Sequence, residues 1–127
     1  MGNLFIQFNK VNFGYDRATE ALFLEVSLHL ASGWTAIVGA NGVGKTSLLK
    51  LAMGILEPQQ GQVTFPEHGI YCQQRTDHAP DRFIDLIHAN DRDAFRIKAI
   101  LGLEDQWLER WESLSHGERK RVQVAVA

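Results

Sequence analysis

Cysteine occurs once in the 127 residues, at Cys72, so no internal disulfide can form and nothing ties the chain to an oxidising compartment. No apolar run approaches the roughly 18–20 residues that cross a bilayer, which excludes a membrane-spanning helix and direct membrane insertion. An excess of one charge is missing too. With 13 Lys and Arg against 15 Asp and Glu, the formal net charge is -2, and bulk electrostatics give no basis for a nucleic-acid-binding surface. The histidines (His29, His68, His78, His88 and His116) lack the spacing of zinc ligands, so no structural metal is expected. The start MGNLFIQFNK has no basic stretch followed by a long apolar one, so it is not read as a signal peptide. MGNLFI opens like a myristoylation site, but Ile6 stands where Ser or Thr is wanted, and that reading is rejected. No repeat or low-complexity segment is visible. These absences leave a cytoplasmic globular chain of one-domain size, and 45% hydrophobic content suffices for a core.

The first third reads as β structure. LFIQFN is a short apolar run with Phe5, Ile6 and Phe8, and ALFLEVSLHL alternates strictly. Leu22, Leu24, Val26, Leu28 and Leu30 should share one face, with Phe23, Glu25, Ser27 and His29 on the other. Gly14 and YDRATE separate the two runs as a turn. A further strand-like run, TAIVG, leads into ANGVGKTSLLKLAMG, where Leu48, Leu49, Ala52 and Met53 switch to helical spacing and Gly54 is a C-cap. Pro58 and Gly61 punctuate the way to QVTF, and GIYC reads as one more short strand. From Pro80 onward the pattern is helical: DRFIDLIHAN with Asp81 as N-cap, AFRIKAILG ending at Gly102, then LEDQWLERW. Trp107 and Trp111, with Leu103 and Leu114, are expected in the core of this helical part. Arg119, Lys120 and Arg121 form a basic run, whose ordinary meaning is a solvated helix face.

Gly39-Ala40-Asn41-Gly42-Val43-Gly44-Lys45-Thr46 matches the G-x-x-x-x-G-K-[ST] phosphate-binding loop at every fixed position. Its glycines let the backbone turn so that several N–H groups converge on phosphate oxygens, and the helix that follows offers its N-terminal donors to the same anion. Lys45 can neutralise β- and γ-phosphates, and the Thr46 hydroxyl is a natural Mg2+ ligand. A chance match in a chain of this size is expected in about one sequence in several hundred at ordinary glycine usage. The strand–loop–helix context lowers that further. The loop alone leaves kinases, GTPases and many ATPases open.

The last stretch narrows the choice. LSHGERKRVQVA resembles the LSGGQ-type signature motif of ATP-binding cassette (ABC) ATPases. Tyr15 precedes Gly39 by 24 positions, about where that family places an aromatic that stacks on adenine. YCQQ, from Tyr71 to Gln74, resembles the family's Q-loop, and LEPQQGQVTF its Pro-x-x-Gly turn into a strand. The resemblance implies an α/β P-loop NTPase fold of the ABC type, with an antiparallel β part, a partial parallel core sheet and a helical subdomain. It implies ATP and Mg2+ as cofactors, bound by Tyr15, Gly39, Asn41, Gly42, Gly44, Lys45, Thr46 and Ser47. Gln74, preferred over Gln73, would join Thr46 in the Mg2+ or attacking-water shell. Ser115, His116 and Gly117 would face nucleotide held in trans by a second cassette, on the same or a partner chain. The physics agrees, because Ser115-x-x-Glu118 is a capping box and a capped helix start can meet a γ-phosphate.

His116 stands in place of the first signature glycine and Glu118 in place of its terminal glutamine. These forms, with Asn41 in the loop, look more like the ABC-F branch, which implies a ribosome as partner. The alternative is the ATP-binding subunit of a membrane transporter, with a permease as partner. A reading from another class is a non-catalytic nucleotide-binding or interaction module. Chromosome-maintenance ATPases share the signature, but the interval between Thr46 and Leu114 leaves no room for their coiled coil. No apolar strand ending in Asp-Glu (Walker B) occurs in the sequence, so residues 1–127 are expected to be the N-terminal part of one cassette. Within it, 1–74 would be the β and P-loop region, 75–113 the helical subdomain, and 114–127 the signature motif and the start of its helix. No catalytic residue proper is then expected in the chain, the TAIVG strand should lack a central neighbour, and hydrolysis by the chain alone should be poor.

Overall fold

The computed structural model describes residues 4–127; the MGN start, weighed above for myristoylation, lies outside the described residues. The chain forms two compact units, one up to Tyr71 and one from Cys72 to Ala127.

In the first unit, strands β1 (Ile6–Phe13), β2 (Phe23–Leu30) and β3 (Gln60–Thr64) make an antiparallel sheet in the order β2-β1-β3. The turn after Gly14 closes through Leu22 N–H donating to the Phe13 carbonyl at 2.8 Å. The strict alternation expected for the second strand holds from Val26 to Leu30 and breaks at Leu24. Leu24 is 71% exposed, while Leu22 and Phe23 both pack against the core. The cause is a pair of compensating bulges. Between Phe8↔Leu28 and Val11↔Val26, β1 carries one extra residue; between Val11↔Val26 and Phe13↔Phe23, β2 does. Lys10 and Glu25 take positive φ there, both 48°. An extra residue flips the phase of every side chain beyond it, and two of them restore the register. As a result Ile6, Phe8, Val11 and Phe13 all reach one core, and β1 runs four residues past the LFIQFN run. Side chains satisfy the displaced amides: Lys10 N–H donates to Ser27 Oγ at 2.9 Å and Glu25 N–H to Asn12 Oδ1 at 2.5 Å. Gly61 fits against the first bulge because a Cβ there would lie 2.3 Å from the Lys10 carbonyl oxygen, and its φ is +83°.

Helix α1 (Lys45–Ala52) packs Leu48, Leu51 and Ala52 on this sheet. Leu49, expected among them, is exposed, because the buried i, i+3, i+4 stripe is set by Leu51 rather than Leu49. Gly54 ends the helix at φ +67°, with Ile55 N–H donating back to the Lys50 carbonyl at 2.9 Å. Two expected strands do not form. Residues 35–39 have no ladder partner among the described residues, and Trp34 and Val38 beside and within them are exposed. A strand exists by pairing its amides and carbonyls with a neighbour, and the sheet beside this segment is wholly antiparallel and does not include it. The antiparallel part of the expected sheet is therefore present and its parallel part is absent from the described residues. GIYC is likewise irregular, with Ile70 and Cys72 exposed.

The second unit is helical: α2 (Arg82–His88), α3 (Arg92–Leu101), single 3-10 turns at Asp105–Trp107 and Trp111–Ser113, and α4 (His116–Ala125). Its core is Phe83, Trp107, Trp111, Leu114 and Val122, so both indoles lie where their spacing placed them. LEDQWLERW is two short turns instead of a helix, each closing its own i→i+3 bonds while both indoles enter one core. Asp81 does not cap α2: its backbone is already helical, and the first turn closes from Phe83 N–H to the Pro80 carbonyl. Asp91 caps α3 instead, accepting from Ala94 N–H at 2.9 Å, and Gly102 ends that helix at φ +60°.

Candidate functional site

The phosphate loop leaves residues 35–39 and enters α1 at Gly44, whose φ of +109° is open to glycine and strained for other residues. A side chain there would also press on Phe23, at 3.0 Å. No side chain caps α1, so the amides of its first turn, which have no partner inside the helix, face the loop. Lys45 Nζ folds back onto the carbonyls of Gly39 and Ala40, at 2.6 and 2.8 Å. Asn41, Gly42 and Thr46 are exposed beside it. An uncapped helix start, a glycine in the left-handed region and a cation held only by its own loop form a donor set that fits an anion of several oxygens.

Two residues further along the helix, Ser47 is buried, and its hydroxyl pairs with that of Tyr15 at 2.7 Å. The Tyr15 ring is half exposed and stands edge-on to Phe13, 5.0 Å between centroids. The structure thus brings Tyr15, Lys45, Thr46 and Ser47 together at one end of α1. Sequence reasoning placed Tyr15 near the loop through the resemblance alone and gave no sign of its tie to Ser47.

The second unit holds the other expected residues. Ser115 caps α4 by accepting from Glu118 N–H at 3.2 Å, which is half of a capping box. Ser115, His116 and Gly117 are exposed, and a Cβ on Gly117 would meet nothing within 4 Å. This leaves the start of α4 open to an incoming group. His116 Nδ1 lies 3.5 Å from the hydroxyl of the buried Thr76.

The basic run is not a solvated face. Arg119 donates to the carbonyls of Trp111 (3.2 Å), Glu112 (2.8 Å) and Thr76 (3.4 Å), and lies over the Trp111 ring. Arg121 donates to the Leu101 carbonyl at the end of α3 at 2.9 Å and stacks on Trp107. Lys120 and Gln123 both donate to the Gln73 carbonyl, the latter at 3.0 Å. Trp111 Nε1 adds a second donor to the Thr76 carbonyl at 3.0 Å. Residues 73–76 are therefore fixed at both ends by side chains from or beside α4. Gln74, between the two anchors, is exposed, and its side chain has no hydrogen bond among the described residues. The anchoring donors were missed by sequence reasoning, since a lysine or glutamine bound to a distant carbonyl leaves no local pattern. Among the described residues no group of His, Cys, Asp or Glu is placed to hold a metal ion alone, and no helix is long and apolar enough to cross a membrane.

A family model described as ABC transporter matches residues 23–127. The energy-coupling factor transporter ATP-binding protein EcfA1 of Staphylococcus epidermidis is 31% identical over 119 residues, covering 89% of this chain and 44% of its own length. ABC transporter F family member 2 of Arabidopsis thaliana is 37% identical over 123 residues, covering 87% of this chain and 18% of its own. Among solved structures, a bacterial Atm1-family ABC exporter with ATP bound matches with a TM-score of 0.65 at 24% identity, over 96% of this chain and 27% of that one. At that identity the likeness speaks for the fold alone. The chain spans less than half the length of each of these proteins.

Proposed function

The chain belongs to the ABC transporter family of ATP-binding proteins, and from that premise we propose that it binds ATP with Mg2+ through the loop at the start of α1. The observation that carries this reading is Lys45 Nζ resting on the Gly39 and Ala40 carbonyls beside an uncapped helix. Those two bonds are local and can be given up to β- and γ-phosphate oxygens, which reward an ammonium more strongly than neutral carbonyls do. Gly39, Asn41, Gly42 and Gly44 supply backbone donors, Ser47 its amide, Thr46 its hydroxyl to Mg2+, and Tyr15 a ring for the base. Ser115, His116 and Gly117, at the open start of α4, meet nucleotide held by a second cassette. ATP hydrolysis belongs to the paired cassettes, and the protein works in the cytoplasm.

The partner supported best is a membrane permease, because EcfA1, which this chain resembles over 89% of its length, is a transporter ATP-binding protein. The ABC-F reading is the second one, favoured by His116, Glu118 and Asn41 and by the Arabidopsis relative at 37% identity. A ribosomal partner rests on those signature residues alone. Calorimetric titration tests the shared core of both readings. ATP should bind more tightly with Mg2+ than with chelator present, and Lys45→Met should weaken binding about ten- to hundred-fold, the worth of a charge-assisted hydrogen-bond pair. Equal affinity of wild type and Lys45→Met would remove the loop from the site.

A further inference from the structure

The hydroxyl pair between Tyr15 and Ser47 is explained neither by phosphate binding nor by folding of the hairpin. Ser47 is buried in the first turn of α1, two residues after Lys45, and its Oγ lies 2.7 Å from the Tyr15 hydroxyl. The Tyr15 ring meets the buried Phe13 edge-on, and its carbonyl accepts Ala18 N–H at 2.8 Å, closing the turn that carries it. The ring is thereby held at its backbone, at its edge and at its tip. The tip is anchored on the same helix turn that bears Lys45 and Thr46.

We infer that Ser47 is a positioning residue for the nucleobase: its hydroxyl fixes the Tyr15 ring at a set distance from the phosphate loop. This rests on the proposed reading that Tyr15 stacks on the base. In a nucleoside triphosphate, sugar and phosphates set the separation between base and β-phosphate within a narrow range. An aromatic platform adds affinity in full only if it already stands at that separation. A free tyrosine would lose rotamer freedom on binding, and the tie removes that loss beforehand. Stacking alone tolerates any base, so the tie raises affinity for nucleosides in general relative to bare phosphate chains. Ser47 therefore has two separate duties, its amide toward phosphate and its hydroxyl toward Tyr15. A hydroxyl has one proton and two lone pairs, so pairing with the phenol leaves the amide unaffected.

The test compares ATP with inorganic tripolyphosphate, which has the charges but no base, by calorimetry on the full chain. The measure is the ratio of the two affinities. Tyr15→Phe keeps the ring and removes the tie, and Ser47→Ala removes it from the other side. Each should lower the ratio about three- to ten-fold, and the double variant by no more than either single change. Ser47→Thr, which keeps a hydroxyl, should hold the wild-type ratio. Tyr15→Ala should lower it further, since base stacking is worth about five- to hundred-fold. If Tyr15→Ala leaves the ratio unchanged, the stacking reading itself fails. If Tyr15→Ala lowers it while Tyr15→Phe and Ser47→Ala do not, only the positioning role is overturned. A double variant whose loss is the product of the two single losses also overturns it, because the hydroxyls would then act independently.

Discussion

Lys45 in the first unit and Arg119 in the second both end on backbone carbonyls, yet the two arrangements differ in kind. Lys45 reaches carbonyls five and six residues back in its own exposed loop. Arg119 reaches three carbonyls, at Thr76, Trp111 and Glu112, over a buried indole, and the first of them is 43 residues away. Short-range bonds in solvent cost little to exchange, whereas long-range, half-buried ones hold separate chain segments in one fold. The contrast separates a cation bonded only within its local loop from one that ties distant segments together. Composition makes no such distinction, since each is one basic residue among the 13 of the chain.

The sharpest way to break this contrast is Arg119→Met, which keeps much of the aliphatic packing and removes three charge-assisted bonds. It should destabilise the second unit by about 2–4 kcal/mol, the Thr76 carbonyl retaining Trp111 Nε1 as a donor. Urea titration followed by tryptophan fluorescence reads this directly, because the two buried indoles, Trp107 and Trp111, both belong to that unit. A change under about 0.5 kcal/mol would return Arg119 to the solvated face that its sequence suggests. A smaller effect is expected at the other end of the same helix turn. Ser115→Ala removes the side-chain cap at the start of α4 and should cost about 1 kcal/mol in the same titration. Ser115→Asp, which also caps, should recover most of it.

The same contrast explains what could be read from sequence. The phosphate-loop motif was legible because it sets residue types at fixed spacing within eight positions, and short-range rules govern them. Gly54, Gly102 and the Ser115 cap were legible for the same reason, each being a local solution to unpaired backbone groups at a helix end. The failures come from pairing. Residues 35–39 carry strand-like residues, but a strand is made by its neighbour, which sequence pattern does not supply. The two bulges were invisible because Lys10 and Glu25 are ordinary residues, and only the register across β1 and β2 shows that a phase change in one is undone by the other. Asp81, expected to cap a helix, does not, because its own backbone is already helical, whereas Asp91, not singled out in the sequence, caps α3 from an extended backbone. The anchoring of residues 73–76 was out of reach for the reason that hides Arg119's role: partners more than forty residues apart leave no trace in local composition.

The smallest expected change is the one that completes the contrast. In Lys45→Met the two carbonyls lose their ammonium, but both belong to exposed residues and pass to water. Leaving an acceptor unpaired is costly only where water cannot reach it. The helix keeps its glycine entrance at Gly44 and its packing through Leu48, Leu51 and Ala52, none of which touches the ammonium. Methionine retains most of the lysine stem and is as good a helix former, so propensity shifts by little. The folding free energy should therefore move by less than about 0.5 kcal/mol, as for other exposed substitutions. Far-ultraviolet circular dichroism through a urea titration measures it, since Trp34, the one tryptophan of this unit, is already exposed and its fluorescence is a poor reporter. Destabilisation beyond about 1 kcal/mol would make the Lys45 bonds structural. The loop's cation would then resemble Arg119 more than a group waiting for phosphate.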